Sequence, residues 1–220
     1  MTIFFDLDGP ILDVSERYFR VHQDIIEQYG GKSMEKETYW HLKRDRQPLS
    51  ALLAMVGNPT REQAYRTHWF HKIELTRYLR HDRVIGGARE QLKELGKRYT
   101  LILVTLRQRR DHLSSQLRQL SLHPFFTVVL SASPAGADGT KVKQCLIAES
   151  GYLNGYSLIV GDTEVDVRAG KALGVPTVAV LSGIRNRNRL AEEGPDWIVE
   201  DICSLHDLVG YQVKGSGERG

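Results

Sequence analysis

The chain has 220 residues, with 30 basic and 27 acidic side chains and a formal charge of +3 when histidines are neutral. At 41% hydrophobic and 26% charged it has the make-up of a folded globule of one or two domains, which excludes fibrous and disordered classes. So small a net charge gives no ground for a nucleic-acid partner, and two distant cysteines, Cys145 and Cys203, exclude a zinc finger or a disulfide scaffold.

Along the chain, Ile3–Phe5 is the first strand candidate, and the acid at Asp6 arrives before any signal-peptide hydrophobic region could form. Helical spacing follows: Tyr18, Val21, Ile25 and Tyr29 form a stripe that stops at Gly30 and Gly31. Pro48, Gly57 and Pro59 punctuate the middle. Thr60 is expected to open another helix, with Gln63 completing a capping box and Tyr65, Trp69, Ile73 and Leu75 as its apolar set. Gly86 and Gly87 mark a tight turn or a hinge. Strands are then expected at Leu101–Val104, Thr127–Leu130, Leu158–Val160 and Thr177–Val180. Between them come helical segments: one carrying Leu113, Leu117 and Leu120, one over Val142–Glu149, and one over Asp166–Leu173 that ends at Gly174. Non-alternating strands separated by helices predict an α/β fold, a Rossmann-like parallel sheet with helices on both faces. The segment 14–83 interrupts it as a helical insertion, leaving residues 1–13 and 84–212 for the sheet domain and 213–220 as a frayed tail. No apolar run approaches the ~20 residues of a membrane span, so the expected protein is cytoplasmic, with no membrane partner. Oligomeric state is not written in the pattern, and a homo-oligomer stays open.

Four patterns mislead. Gly215, Gly217 and Gly220 spell a dinucleotide fingerprint, but no helix follows to receive a pyrophosphate. Asp6, Asp8 and Gly9 imitate a calcium loop whose glycine and glutamate positions hold Ile11 and Arg17. His68, His71 and Glu74 read as a partly exposed helix face beside Trp69 rather than a metal site. Arg185, Arg187 and Arg189 alternate with asparagines and lack interleaved aromatics, so they read as a solvated basic face.

The chemistry lies in two strand ends. FFDLDGPILD puts Asp6 and Asp8 on one side of an extended chain, and Gly9 allows a sharp turn. IVGDTEVD repeats the plan with Asp162 and Asp166. Capping of the following helix is the plainer role for either of those acids taken alone. Carboxylates converging on one sheet edge call for a hard cation such as Mg²⁺. Thr105 ends a strand with a hydroxyl and free amides suited to phosphate oxygens. Lys141, after the Gly136 to Gly139 loop, offers a point charge, with Lys143 as the alternative. Three carboxylates and a phosphate dianion would sum to about −5, which Mg²⁺ and Lys141 cut to about −2.

In this order, from Phe4 to about Leu208, these pieces resemble the haloacid-dehalogenase superfamily, in its phosphoglycolate-phosphatase-like branch. The resemblance implies Asp6 as nucleophile and Asp8 as general acid and base. It implies Mg²⁺ held by Asp6, the Asp8 main-chain carbonyl and Asp162, with Asp166 supporting from behind. Thr105 matches the second motif, where Leu106 offers an amide and Arg107 a cation in place of the usual polar residues; Lys141 matches the third. Pro10 stands where Thr or Val is common, and Lys141 lacks the usual proline neighbour. The insertion matches a cap. The implied activity is Mg-dependent hydrolysis of a small phosphate monoester, phosphoglycolate-like or a sugar phosphate, through an aspartyl-phosphate. A phosphomutase or a catalytically silent phosphate-ester-binding regulator is the alternative, whereas a dehalogenase would have no need of Asp8.

Overall fold

The computed structural model describes residues 1–56, 62–134 and 136–205. Six parallel strands form the main sheet: β1 (Thr2–Phe5), β4 (Thr100–Thr105), β5 (Val128–Ser131), β6 (Ser157–Gly161), β7 (Thr177–Val180) and β8 (Trp197–Val199), in the order β5-β4-β1-β6-β7-β8. A small antiparallel pair, β2 (Leu12–Asp13) and β3 (Arg83–Val84), forms a separate ribbon. Between β2 and β3 run α1 (Ser15–Gln28), α2 (Lys36–Arg44), α3 (Leu49–Met55), α4 (Glu62–Lys72) and α5 (Thr76–Leu79). After β3 come α6 (Ala88–Gly96), α7 (Arg110–Gln119), α8 (Gly139–Ala148), α9 (Glu164–Leu173) and α10 (Arg187–Glu193).

The strands lack alternation because both sheet faces are covered. Ile3, Phe5, Leu101, Leu103, Leu158 and Val160 point into one buried cluster, with Leu92 of α6 and Leu113 and Leu117 of α7. Phe4, Ile102 and Ile159, one residue out of phase, pack on the other face with Ile147 of α8. Each of these side chains contributes about 1.5–3 kcal/mol by leaving water. Four of the five inserted helices close over a third cluster, with Val21, Ile25 and Ile26 of α1 meeting Leu53 of α3, Tyr65 of α4 and Tyr78 of α5. Among the described residues no helix is long and apolar enough to cross a membrane.

All five anticipated strands are present. The eighth, Trp197–Val199, was not among them. The helix anticipated at Val142 begins three residues earlier, at Gly139, because Asp138 caps it by accepting from the Thr140 amide at 2.9 Å. Gly87 takes φ +77° as the residue that opens α6, so the double glycine is at least a turn. Thr60, with its expected capping box, and the tail at 213–220 lie outside the described residues.

Chain order reverses between β1 and β6, the crevice where open α/β sheets bind ligands beyond the carboxyl ends of the strands. Phe5 pairs with both Leu103 and Val160, so β1, β4 and β6 finish at one level. Asp6, Thr105 and Asp162 emerge there together.

Candidate active site

Asp6, Asp162 and Asp166 present carboxylate oxygens that all lie within 4.8 Å of one another. Asp162 is wholly buried in a cradle that only glycine permits. A Cβ on Gly9 (φ +103°) would sit 2.2 Å from its carboxyl carbon, and one on Gly183 2.0 Å from Oδ2. Asp162 Oδ2 accepts the Ile184 amide at 2.5 Å, while Oδ1 is buried with no hydrogen-bond partner. Burial, then the charges of Asp6 and Asp166, hold the Asp162 carboxyl well above the usual range. An orphaned carboxylate oxygen among three clustered acids fits a hard divalent cation with oxygen ligands.

One lysine answers these acids, and it is Lys143. Its ammonium is buried, 2.5 Å from Asp166 and 3.3 Å from Asp6. Burial alone would lower its pKa; Asp166 and Asp6 overcome that and raise it. Lys141 is exposed and stands outside the cluster, a correction to the sequence expectation. The earlier start of α8 explains the exchange. Residues two apart on a helix point about 200° apart, so only one of the pair can face the acids. Asp166 also accepts from the Thr163 amide at 3.0 Å and hydroxyl at 2.7 Å, so it caps α9 and holds Lys143 at once.

Asp8 has a different environment. Arg107 grips its carboxylate bidentately at 2.6 and 3.0 Å, and Arg17 adds a third contact at 2.6 Å. Both guanidiniums continue to the buried Asp82, at 3.0 Å from Arg17 and 3.4 Å from Arg107. Gln116 completes the group with a 2.7 Å bond to Asp82. Burial would raise the Asp8 pKa, but the Arg107 and Arg17 charges hold it well below the usual carboxylate range. Asp6 moves the other way, pushed up to about 7 by burial, with Asp166 and Asp8 adding to it against the pull of Lys143. Arg107 was anticipated as a cation for phosphate; its fork is instead committed to Asp8 and Asp82. Asp82 carried no signal in the sequence, and Arg17 stood out only as the residue that breaks the false calcium loop.

Thr105 and Leu106 line a cleft of about 250 Å³ together with Asp6, Asp8, Lys143 and Arg107. Tyr18, Trp69 and Ile73 of the helical insertion close its other side. The insertion is tied down around it. Glu74, buried and past the end of α4, accepts the amides of Gln108 and Arg109 at 3.0 and 2.8 Å. Arg44 donates to the Leu181 carbonyl at 2.6 Å, and Asn186 to Asp45 at 3.2 Å. Glu74 is thus a tether rather than a partner of His68 and His71. The alternating arginines are also spoken for, Arg185 by Glu164 at 2.8 Å, Arg187 by Glu200 at 3.0 Å and Arg189 by Glu192 at 3.0 Å.

A family model described as haloacid dehalogenase-like hydrolase matches residues 3–180. A relative named pyrophosphatase PpaX, from Oceanobacillus iheyensis, is 24% identical over 95% of this chain and 96% of its own length. One named phosphoglycolate phosphatase, from Synechococcus elongatus, is 24% identical over 97% of this chain and 99% of its own. A solved haloacid dehalogenase-like family protein from Streptococcus pneumoniae superposes with a TM-score of 0.74 at 21% identity, covering 94% of this chain and 97% of that one.

Proposed function

This chain belongs to the haloacid dehalogenase-like hydrolases, and from that membership we propose that it is a magnesium-dependent phosphatase cleaving small phosphate monoesters through an aspartyl-phosphate. The observation that carries the reading is the orphaned Asp162 oxygen beside Asp6 and Lys143 at the crevice between β1 and β6. Asp6, the Asp8 carbonyl and Asp162 are the proposed holders of Mg²⁺, with Asp166 behind them. When bound, the ion offsets negative charge on the phosphoryl group.

Asp6 Oδ2 attacks phosphorus in line with the departing oxygen, forming the acyl-phosphate as the P–O bond to the leaving group breaks. Lys143 takes the place expected for Lys141, neutralising charge on the equatorial oxygens from 3.3 Å behind the nucleophile. Thr105 and the Leu106 amide orient the phosphoryl group from the end of β4. Asp8 takes a proton from the water that cleaves the aspartyl-phosphate and gives that proton to the leaving oxygen of the next substrate, so each turnover balances at one carboxyl. Arg17 and Arg107 favour its carboxylate form, which suits the water-activating step. The segment 14–83 serves as a cap that excludes bulk water.

A cleft of about 250 Å³ suits a small ester, and the relatives' names, phosphoglycolate phosphatase and pyrophosphatase, denote small phosphorus substrates. The test is a panel of p-nitrophenyl phosphate, phosphoglycolate, pyrophosphate and sugar phosphates, with Mg²⁺ and with chelator. Chelator-sensitive turnover, lost in Asp6→Asn with the fold intact, is the expected result. Near-normal turnover in Asp6→Asn refutes the nucleophile, and ester binding without turnover on any member refutes the phosphatase.

A further inference from the structure

Every cation of the catalytic cleft is already committed. Among the described residues those that line it are Arg17, Arg107 and Lys143. Each is shared between two carboxylates. Arg17 and Arg107 both reach Asp8 at 2.6 Å and continue to Asp82 at 3.0 and 3.4 Å. Lys143 is divided between Asp166 at 2.5 Å and Asp6 at 3.3 Å. Lys43, 5.2 Å from the Trp69 ring centroid, lines the neighbouring cleft instead. Beyond Arg17, the insertion adds one charge to the lining, and it is negative. Glu74 is buried, accepts two backbone amides and has no ion-pair partner among the described residues.

The rest of what the insertion presents is apolar. Tyr18 of α1, Trp69 of α4 and Ile73, just past the end of α4, are half-buried and line the cleft. Tyr18 and Trp69 meet edge to face at 5.1 Å, Trp40 meets Tyr18 edge on at 6.1 Å, and Tyr65 stacks on Trp69 at 5.9 Å. Rings fixed in this way form a face that needs little ordering when a ligand arrives. An anionic leaving group brought against it loses water, gains no free counter-charge and meets Glu74 as a like charge. An uncharged leaving group buries its own apolar surface there.

We propose that this cleft takes phosphate esters of an uncharged alcohol with an apolar face, which lies against Tyr18, Trp69 and Ile73, and discriminates against esters whose leaving group is itself an anion. The proposal rests on the phosphatase reading for the reaction and adds to it the class of alcohol released.

Calorimetry in Mg²⁺ compares two non-hydrolysable ligands with a common head, benzylphosphonate and phosphonoacetate. The wild-type chain binds benzylphosphonate about tenfold more tightly, the low end of what burying a phenyl ring yields. Trp69→Ala brings that ratio below about threefold, and Ile73→Ala lowers it in the same direction if the Trp69 variant folds poorly. Phosphonoacetate binding as tightly as benzylphosphonate, no measurable binding of benzylphosphonate, or a ratio unchanged in both variants overturns the proposal. The values of kcat/KM for benzyl phosphate and phosphoglycolate, both esters of primary alcohols, follow the same order, and the reverse order overturns it as well. Absence of turnover on both esters counts against the phosphatase reading, while the binding ratio still decides which tail the cleft accepts.

Discussion

Replacing Lys143 by Met removes the one ammonium shared by Asp166 and Asp6. Stranding one member of a buried ion pair costs about 3–5 kcal/mol. Two features place the cost at the low end. Asp166 keeps its bonds from the Asp162 and Thr163 amides, and Asp6, already pushed up to about 7, can relieve the repulsion by taking a proton. A loss of about 3 kcal/mol corresponds to a Tm lowered by about 6–12 °C in a chain of this size. If Lys143 also neutralises the phosphoryl oxygens, kcat falls by about 10²–10³, the usual effect of deleting one such charge. Lys141→Met, at an exposed position on the far side of α8, changes stability by less than about 0.5 kcal/mol and kcat by less than about twofold. Scanning calorimetry and steady-state kinetics on the two variants decide the matter. A Lys141→Met enzyme that is inactive beside a Lys143→Met enzyme that turns over normally would refute the assignment.

Two further outcomes follow from other buried charges. Asp82→Asn leaves Arg17 and Arg107 facing Asp8 alone, so urea denaturation should show a loss of about 2–4 kcal/mol; an unchanged midpoint would mean the four-charge group contributes nothing. His22, stacked on Tyr39 and bonded to the Tyr65 hydroxyl at 3.0 Å, is pushed down from 6.5 to about 4 by burial, then by Lys43. The unfolded chain therefore binds the extra proton first, and stability falls as pH drops from 6.5 towards 4, by about 3 kcal/mol in all. His22→Gln should flatten that part of the stability-pH curve, and equal slopes in the two proteins would exclude His22 as its source.

The fold was legible because its signals are local. Three- and four-residue apolar runs, the glycines after α1, α8 and α9 and acids directly after strands need no knowledge of distant residues, and they marked the carboxyl edge where Asp6 and Asp162 meet. What stayed hidden depends on phase or on long-range pairing. The choice between Lys141 and Lys143 turned on where α8 begins, which Asp138 sets by capping. Asp82 reads as an ordinary polar residue before a short strand, and only the folded chain puts it between guanidiniums from α1 and from the end of β4. Glu74 was grouped with two histidines by helical spacing, but α4 ends at Lys72 and the chain then turns Glu74 towards the Gln108 amide.

Asp6 and Asp8 leave the same strand two residues apart, yet their surroundings drive them in opposite directions. Asp6 shares a buried corner with two acids and a single lysine, so its negative charge is costly until more positive charge arrives. Asp8 has two arginines to itself, with a second carboxylate behind them to balance the excess. Carboxyls pushed apart in this way suit divided work, one attacking phosphorus and the other moving protons. The arginine pair also joins segments far apart in sequence. Arg17 belongs to the helical insertion and Arg107 to the sheet, so the Asp8 clamp is complete only while the insertion lies over the cleft. A displacement that withdrew Arg17 would remove one of the two charges holding Asp8 as a carboxylate, so on the proposed mechanism proton transfer at Asp8 would depend on the position of the insertion.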